Sequence, residues 1–242
     1  MKVIPVLDIL NGVAVHAIKG NRSQYQPLKS VLSQSAEPLD VSSTFKAQGF
    51  RELYIADLDA ILGRGSNSKV ISLIAKQTGL ELMVDAGVSD LPSAQQVLQN
   101  GAAKVIVGTE TLQSLDFVKE ALDAFGAEKV VVSLDLRNGA VLSKAEGLRS
   151  LTAPSLAGHL GDLGVTQLIV LDLARVGSGE GADTQLLGQL LKAGLHVLLG
   201  GGVRDIKDLT QLRDMGVYGA LVATALHSGK ISVADLKKAE LI

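Results

Sequence analysis

The chain has 242 residues, of which 47% are hydrophobic but only 3% aromatic, and a formal net charge of -2, with an isoelectric point near 6.1. With no basic run and no interleaving of basic and aromatic residues, that balance argues against nucleic acid as a partner, and the absence of cysteine excludes disulfides, thiolate catalysis and Cys-ligated zinc. The apolar content suffices for a large aliphatic core, while runs such as Leu195 to Leu199 are far too short to cross a membrane.

The lysine-led apolar start, Met1 to Leu7, is interrupted by Asp8 before it reaches signal-peptide length, so a soluble cytoplasmic protein is expected. Val3 to Ile9 is the first of eight short runs rich in Val, Ile and Leu. The others are Glu52 to Asp57, Glu81 to Asp85, Lys104 to Gly108, Lys129 to Asp135, Gln167 to Asp172, His196 to Gly200 and Gly219 to Ala223. None alternates with polar residues, as expected of parallel strands buried on both faces.

Between the runs lie segments with helical spacing. Val70, Ile71 and Ile74 mark an apolar stripe after Asn67, and Leu115, Val118, Ala121, Leu122 and Phe125 mark another with Ser114 as its N-cap. The connection from Leu10 to Leu39, with its Lys19-Gly20-Asn21-Arg22-Ser23-Gln24-Tyr25 stretch, has too few apolar positions for a helix before Asp40 and reads as a loop covering the substrate, or else one that only packs on a neighbouring part of the chain.

Eight strand and helix alternations predict a (β/α)8 TIM barrel, with an open doubly wound sheet as the alternative. The halves also repeat. An offset of 115 pairs Leu82-Met83-Val84-Asp85-Ala86-Gly87-Val88 with Val197-Leu198-Leu199-Gly200-Gly201-Gly202-Val203, Asp57 with Asp172, and Thr109 with Thr224. An offset of 127 pairs Asp8-x-x-Asn11-Gly12 with Asp135-x-x-Asn138-Gly139. The chain therefore reads as one barrel of two duplicated half-barrels, about 1–127 and 128–242.

Active sites of such barrels sit where the strands finish. Here those ends carry Asp8, Asp57, Asp85, Thr109, Asp135, Asp172, Gly200 to Gly202 and Thr224, whereas Lys104, Lys129 and His196 begin strands. Asp8 and Asp135 end strands one and five and so face each other across the mouth. Two such carboxyl groups can divide acid and base work between them, unless each simply bonds to its own Asx-type turn. Gly200-Gly201-Gly202, an apolar run's glycine end before a helix-like segment, is a candidate phosphate cradle. A Schiff-base mechanism lacks a strand-end lysine. His16, His159, His196 and His227 are scattered over different elements, although His16 and His227 could approach one another, and neither a metal nor a cofactor is expected. A metal-assisted reaction using Asp57, Asp85 and Asp172 is a lesser alternative.

Tyr54-Ile55-Ala56-Asp57-Leu58-Asp59-Ala60-Ile61, Met83-Val84-Asp85-Ala86-Gly87-Val88 and Val107-Gly108-Thr109-Glu110-Thr111-Leu112 make the chain resemble the histidine-biosynthesis isomerase and cyclase family over nearly its whole length. It is most similar to the isomerase side, the phosphoribosylformimino-aminoimidazole carboxamide ribotide isomerases, and within that to isomerase-related proteins of methanogens and methylotrophs. The resemblance implies an Amadori-type aldose-to-ketose rearrangement with Asp8 and Asp135 as the catalytic pair. For the methanogen and methylotroph group it points toward one-carbon coenzyme metabolism. It also implies a substrate with two phosphates, one per half-barrel.

Two departures bear on that activity. A threonine that the isomerases use at the end of strand six corresponds to Leu171, and the Asp-Gly-Thr beyond it is Val176-Gly177-Ser178. The second-half phosphate site is retained as Gly177, Ser178, Gly201, Gly202, Ala223 and Thr224. In the first half the expected Gly-Gly-Gly-Ile-Arg is Asp85-Ala86-Gly87-Val88-Ser89. A carboxylate about 4 Å from a phosphate charge repels it by about 4 kcal/mol, on the order of a thousandfold in affinity. The expected partner is thus a small metabolite with one phosphate, met by Asp85 and by the further contacts Lys19, Asp57, Thr109 and Asp172. A phosphate-binding barrel without turnover and the standard isomerase are the competing readings.

Overall fold

In the computed structural model, which describes residues 1–242, the eight apolar runs form a closed parallel sheet. Its strands are β1 (Lys2–Leu10), β2 (Glu52–Asp57), β3 (Glu81–Asp85), β4 (Lys104–Gly108), β5 (Val130–Arg137), β6 (Gln167–Asp172), β7 (His196–Gly200) and β8 (Gly219–Val222). Each pairs with the next in sequence, and β8 returns to β1 through Gly219 opposite Lys2 and Val222 opposite Pro5, which closes a (β/α)8 barrel. The principal outer helices are α1 (Pro38–Gln48), α2 (Ser68–Thr78), α3 (Leu91–Gln99), α4 (Asp116–Phe125), α5 (Ala153–Asp162), α6 (Thr184–Leu190), α7 (Ile206–Asp214) and α8 (Val233–Lys238). Several start on side-chain caps, as α3 does on Asp90 and α7 on Asp205, and Gly49 and Gly79 end α1 and α2 in the left-handed conformation.

Two separate apolar clusters account for the unbroken hydrophobic runs. The larger one fills the layer between sheet and helices. The smaller one fills the barrel interior and includes a layer to which every strand contributes, Ile4, Tyr54, Met83, Ile106, Val131, Ile169, Leu198 and Leu221. Successive strand side chains point to opposite faces, so counting by twos from this layer toward the mouth leads to Asp8, Ala56, Asp85, Gly108, Asp135, Leu171 and Gly200. Asp57, Thr109 and Asp172 are one position out of step and face the helix side. Parity alone sorts the strand-end residues into two sets.

The connection after β1 is more structured than its composition suggests. Asn11 (φ 53°) and Gly12 (φ 78°) make a two-residue turn with both residues left-handed, after which Val13–His16 pairs back on β1 and Gln26–Pro27 pairs on that strand in turn. Asn138 (φ 54°) and Gly139 (φ 78°) turn the chain in the same way after β5. These are hairpin turns of the kind that Asn-Gly favours. Neither the Asp8 nor the Asp135 carboxylate bonds to its own turn, so the Asx-turn alternative fails on geometry.

The first hairpin is tied to the sheet by a buried polar knot. Asn67 Nδ2 donates to Asp57 Oδ1 and to Asp59 Oδ2, each at 2.7 Å, and the Asn67 N–H donates to Asp57 Oδ2 at 2.7 Å. The Asn11 and Gly12 amides donate to Asp59 Oδ2 and Asn67 Oδ1. Asn67 precedes α2 as expected, but its side chain does not cap it. Ser114, expected as the cap of α4, lies one residue before the N-cap Leu115, yet its hydroxyl accepts the Asp116 N–H at 3.1 Å.

Asn67→Leu should remove donors from two buried carboxylates and lower stability by about 2–4 kcal/mol, read as a shift in urea midpoint. A loss under about 0.5 kcal/mol, the size of an ordinary surface change, would show that the knot contributes little.

Candidate active site

The mouth of the barrel holds a cavity lined on one side by Asp8, Tyr54, Asp85, Glu110 and Asp135, and on the other by Gly177, Gly179, Gly201, Gly202, Ala223, Thr224, Arg204 and Lys230. Leu171, Gly200 and Leu221 form apolar wall between them, and Arg22 and Tyr25 of the hairpin connection reach over it.

The hairpin connection is fastened across the mouth by main chain as well as charge. Lys19 N–H donates to the Val176 carbonyl at 2.8 Å, and Arg22 pairs with Glu110 at 2.7 Å. A Cβ on Gly177 would stand 2.4 Å from the Ala17 carbonyl oxygen, so this close approach needs glycine there. Lys19 itself points outward to an exposed pair with Glu180 at 3.0 Å.

Three aspartates converge in the cavity from different strands. Asp85 is buried, accepting the Gly87 N–H on Oδ1 at 3.0 Å and the Tyr54 hydroxyl on Oδ2 at 3.3 Å. Asp135 is also buried, accepting the Ser133 hydroxyl at 2.7 Å and the Glu110 N–H at 3.0 Å. Asp8 is half-buried, and its carboxylate accepts no hydrogen bond from the chain. Gly108 makes room for the convergence: the point where its Cβ would stand is 3.0 Å from Asp135 Oδ2 and 3.8 Å from Asp85 Oδ2.

Crowding these carboxyls out of water favours their neutral forms. Burial lifts Asp8 to about 7, with the Arg22 guanidinium pulling it down and Asp85 pushing it further up. Burial likewise lifts Asp135 to about 7, aided by the charge of Asp85 and opposed by the donors from Glu110 and Ser133. Asp85 rises to about 6 by burial, held back first by the Gly87 N–H. Burial and the nearby Asp85 push the Tyr54 phenol far above its ordinary value, so it stays a donor.

The glycine side has the opposite character. Gly177, Gly179, Gly201 and Gly202 line the cavity, and their N–H groups donate to no group of the chain. Gly201 (φ 89°) and Gly202 (φ 86°) are left-handed, and side chains there would strike the Asp172 and Gly181 carbonyl oxygens at 3.0 and 2.5 Å. Lys230 is exposed and forms no ion pair, whereas the Arg204 guanidinium is held by Asp208 at 2.6 Å. The Ser178 hydroxyl turns into its own loop, donating to the Arg175 carbonyl at 2.9 Å. Thr224 Oγ1 lies 3.3 Å from His16 Nε2.

Of the strand-end residues read from the sequence, Asp8, Asp85, Asp135, Gly201, Gly202, Ala223 and Thr224 come together, and Gly177 joins them from the loop after β6. Asp57 belongs to the Asn67 knot, Thr109 Oγ1 accepts the Asp135 N–H at 2.9 Å, and Asp172 pairs with Arg175 at 3.2 Å. Asp57, Asp85 and Asp172 thus stand in three separate surroundings, against a shared metal ion, and no three carboxylates or imidazoles of the chain are arranged to hold one. His16 and His227 do approach, in a small recess behind Asp8, with His227 Nδ1 2.9 Å from Ser30 Oγ. Tyr54, Arg22 and Glu110 sit inside motifs the sequence brings to notice, but nothing in those motifs marks them as mouth residues. Tyr25 closes the Lys19 to Tyr25 stretch of the expected covering loop, whereas Lys230 carries no sequence signal at all.

A (β/α)8 barrel whose mouth joins opposed carboxyls to a row of glycine amides without partners in the chain defines the fold class and its cavity. The family is specific as well. A family model described as histidine biosynthesis protein matches residues 2–232, and the chain belongs to that family. An uncharacterized protein of Methanocaldococcus jannaschii is 35% identical over 241 residues, covering 98% of this chain and 97% of that one. The 1-(5-phosphoribosyl)-5-((5-phosphoribosylamino)methylideneamino) imidazole-4-carboxamide isomerase of Streptococcus sanguinis is 32% identical over 246 residues, covering 99% and 98%. The protein so named in Cenarchaeum symbiosum is 32% identical over 238 residues, covering 96% and 97%.

The raised carboxyls carry a pH signature. A carboxyl whose pKa is higher folded than unfolded binds more protons in the folded state, so the stability it contributes is lost as pH rises through the folded value. For Asp8 and Asp135 that loss runs from the ordinary carboxylate range up to about 7, with its last part falling above pH 6.5. Burial lowers the pKa of His227 to about 4 and lowers that of His16, so both oppose this trend only below the ordinary imidazole range. The melting temperature should therefore be higher near pH 6.5 than near pH 8, and Asp8→Asn should flatten the difference. An equal or reversed difference in the unmodified protein would contradict the enclosed, proton-holding carboxyls.

Proposed function

We propose that the protein is an acid–base isomerase acting on a sugar-like metabolite with a single phosphate. Asp8 and Asp135 are the catalytic pair. They project into the cavity from β1 and β5, on opposite sides of the barrel, and both lie close to neutrality in pKa. One carboxylate takes a proton from the substrate C2 while the other carboxyl gives one to the oxygen at C1, forming an enol; return of a proton to C1 and loss of the C2 hydroxyl proton then complete an aldose-to-ketose shift with no net change in protons. Gly177, Gly201, Gly202 and Thr224, with Lys230 beside them, hold the phosphate; four glycine amides without an internal partner support that assignment.

The observation that carries the single-phosphate reading is the bond from the Gly87 N–H to Asp85 Oδ1. Gly87 is the counterpart of Gly202 at the 115-residue offset, and its amide is already satisfied by a carboxylate of the chain. The Glu110 amide next to Thr109 is likewise engaged by Asp135. An incoming second phosphate would compete with two internal anions for the same donors. The matching Asn-Gly hairpins after β1 and β5 support the reading of the chain as two related halves.

A barrel that binds without turnover is favoured only by Leu171, which puts an apolar wall in the cavity where the isomerases it resembles use a threonine. The aspartate variants decide between the two: in an enzyme Asp8→Asn and Asp135→Asn lose turnover and keep ligand, whereas a binding barrel has no turnover to lose. The purified protein should leave the two-phosphate substrate of the isomerases unchanged and should fail to restore growth to a histidine auxotroph lacking that enzyme. Isomerisation of that substrate, abolished by Asp8→Asn and Asp135→Asn, would overturn the single-phosphate reading.

A further inference from the structure

The carboxylate end of the cavity is built for a ligand group of a definite kind. Asp85 and Asp135 are buried and already hold donors from Gly87, Tyr54, Ser133 and Glu110, while the Asp8 carboxylate beside them has no donor from the chain and lines the cavity. The cationic side chain lining this end is Arg22, and it is committed to Glu110 at 2.7 Å. The distant end offers amides and Lys230. The cavity is therefore polarised, with anion-accepting donors at one end and surplus negative charge with acceptor capacity at the other. A hydroxyl placed by Asp8 would supply one donor and no charge, whereas an ammonium supplies three donors and the missing charge.

We infer that the ligand is a phosphomonoester carrying a cationic nitrogen, an ammonium or amidinium group, at the end remote from its phosphate, received by Asp8 and Asp85. This rests on the single-phosphate reading of the site and names what that site selects. Asp85 then has a positive purpose: it excludes a second phosphate and, in the same place, recognises an amine. Gly108 contributes by lacking a side chain, since a Cβ there would crowd Asp135 and Asp85.

Titration calorimetry on the full chain tests this with pairs of phosphomonoesters of equal length that differ only at the far end: aminobutyl phosphate against butyl phosphate, and aminohexyl phosphate against hexyl phosphate. At the better-fitting length the amine should bind at least about tenfold more tightly, the scale of a hydrogen-bonded charged contact. Asp85→Asn should remove most of that advantage, read as the ratio of affinities within each pair.

A second readout needs no variant. The groups facing the site are Asp8, Asp85, Asp135, Glu110, Tyr54, Tyr25 and Arg22. Of these, Asp8, Asp85 and Asp135 gain charge between about pH 6 and pH 8, so the ratio of affinities within a pair should widen over that range, while phosphate ionisation cancels between its members. Equal affinities within both pairs, or a ratio that stays flat with pH and survives Asp85→Asn, would overturn the amine while leaving the single phosphate standing. Tighter binding of butanediol bisphosphate than of either monoester would overturn the single-phosphate reading itself, and the amine with it.

Discussion

Closure of the parallel sheet is the constraint from which the site follows. Once Lys2–Pro5 pairs with Gly219–Val222, the barrel has no free edge, and the inward-facing residue at the end of every strand opens on one mouth. Asp8, Asp85 and Asp135 share the inward parity of the interior layer formed by Ile4, Met83 and Val131. They are forced together whatever their mutual repulsion. The molecule accommodates them by holding protons, as their elevated pKa values record, and by directing main-chain N–H groups at two of the three.

Those N–H groups separate the two ends of the cavity. Gly87 and Gly202 are both left-handed, yet the Gly87 amide is closed by Asp85 while the Gly202 amide is open. A side chain at Gly200, the counterpart of Asp85, would lie 2.8 Å from Leu171 Cδ1 and would have to displace that leucine methyl.

The barrel could be read from the sequence because eight aliphatic runs end in turn residues at regular intervals, and buried parallel strands need nothing more. The contrast between Asp85 and Gly200 was visible for the same reason, since the repeat aligns them. Parity was not. In runs apolar on both faces nothing tells inward from outward, so Asp57, Thr109 and Asp172 looked equivalent to Asp8 and Asp135 until the interior layer was known. The Asn67 knot was hidden because its partners, Asp57, Asp59 and the Asn11-Gly12 turn, meet only in three dimensions. Arg22, Tyr25 and Lys230 reach the cavity from connections, where placement is decided by tertiary contacts such as Lys19 to Val176 rather than by local pattern.

That one anion end survives where the barrel's repeat offers two is tested most directly by soaking crystals of the protein in phosphate or sulfate and comparing the two turns. Anion density is expected beside Gly201, Gly202 and Thr224 and absent beside Gly87. Comparable occupancy at both turns would contradict it.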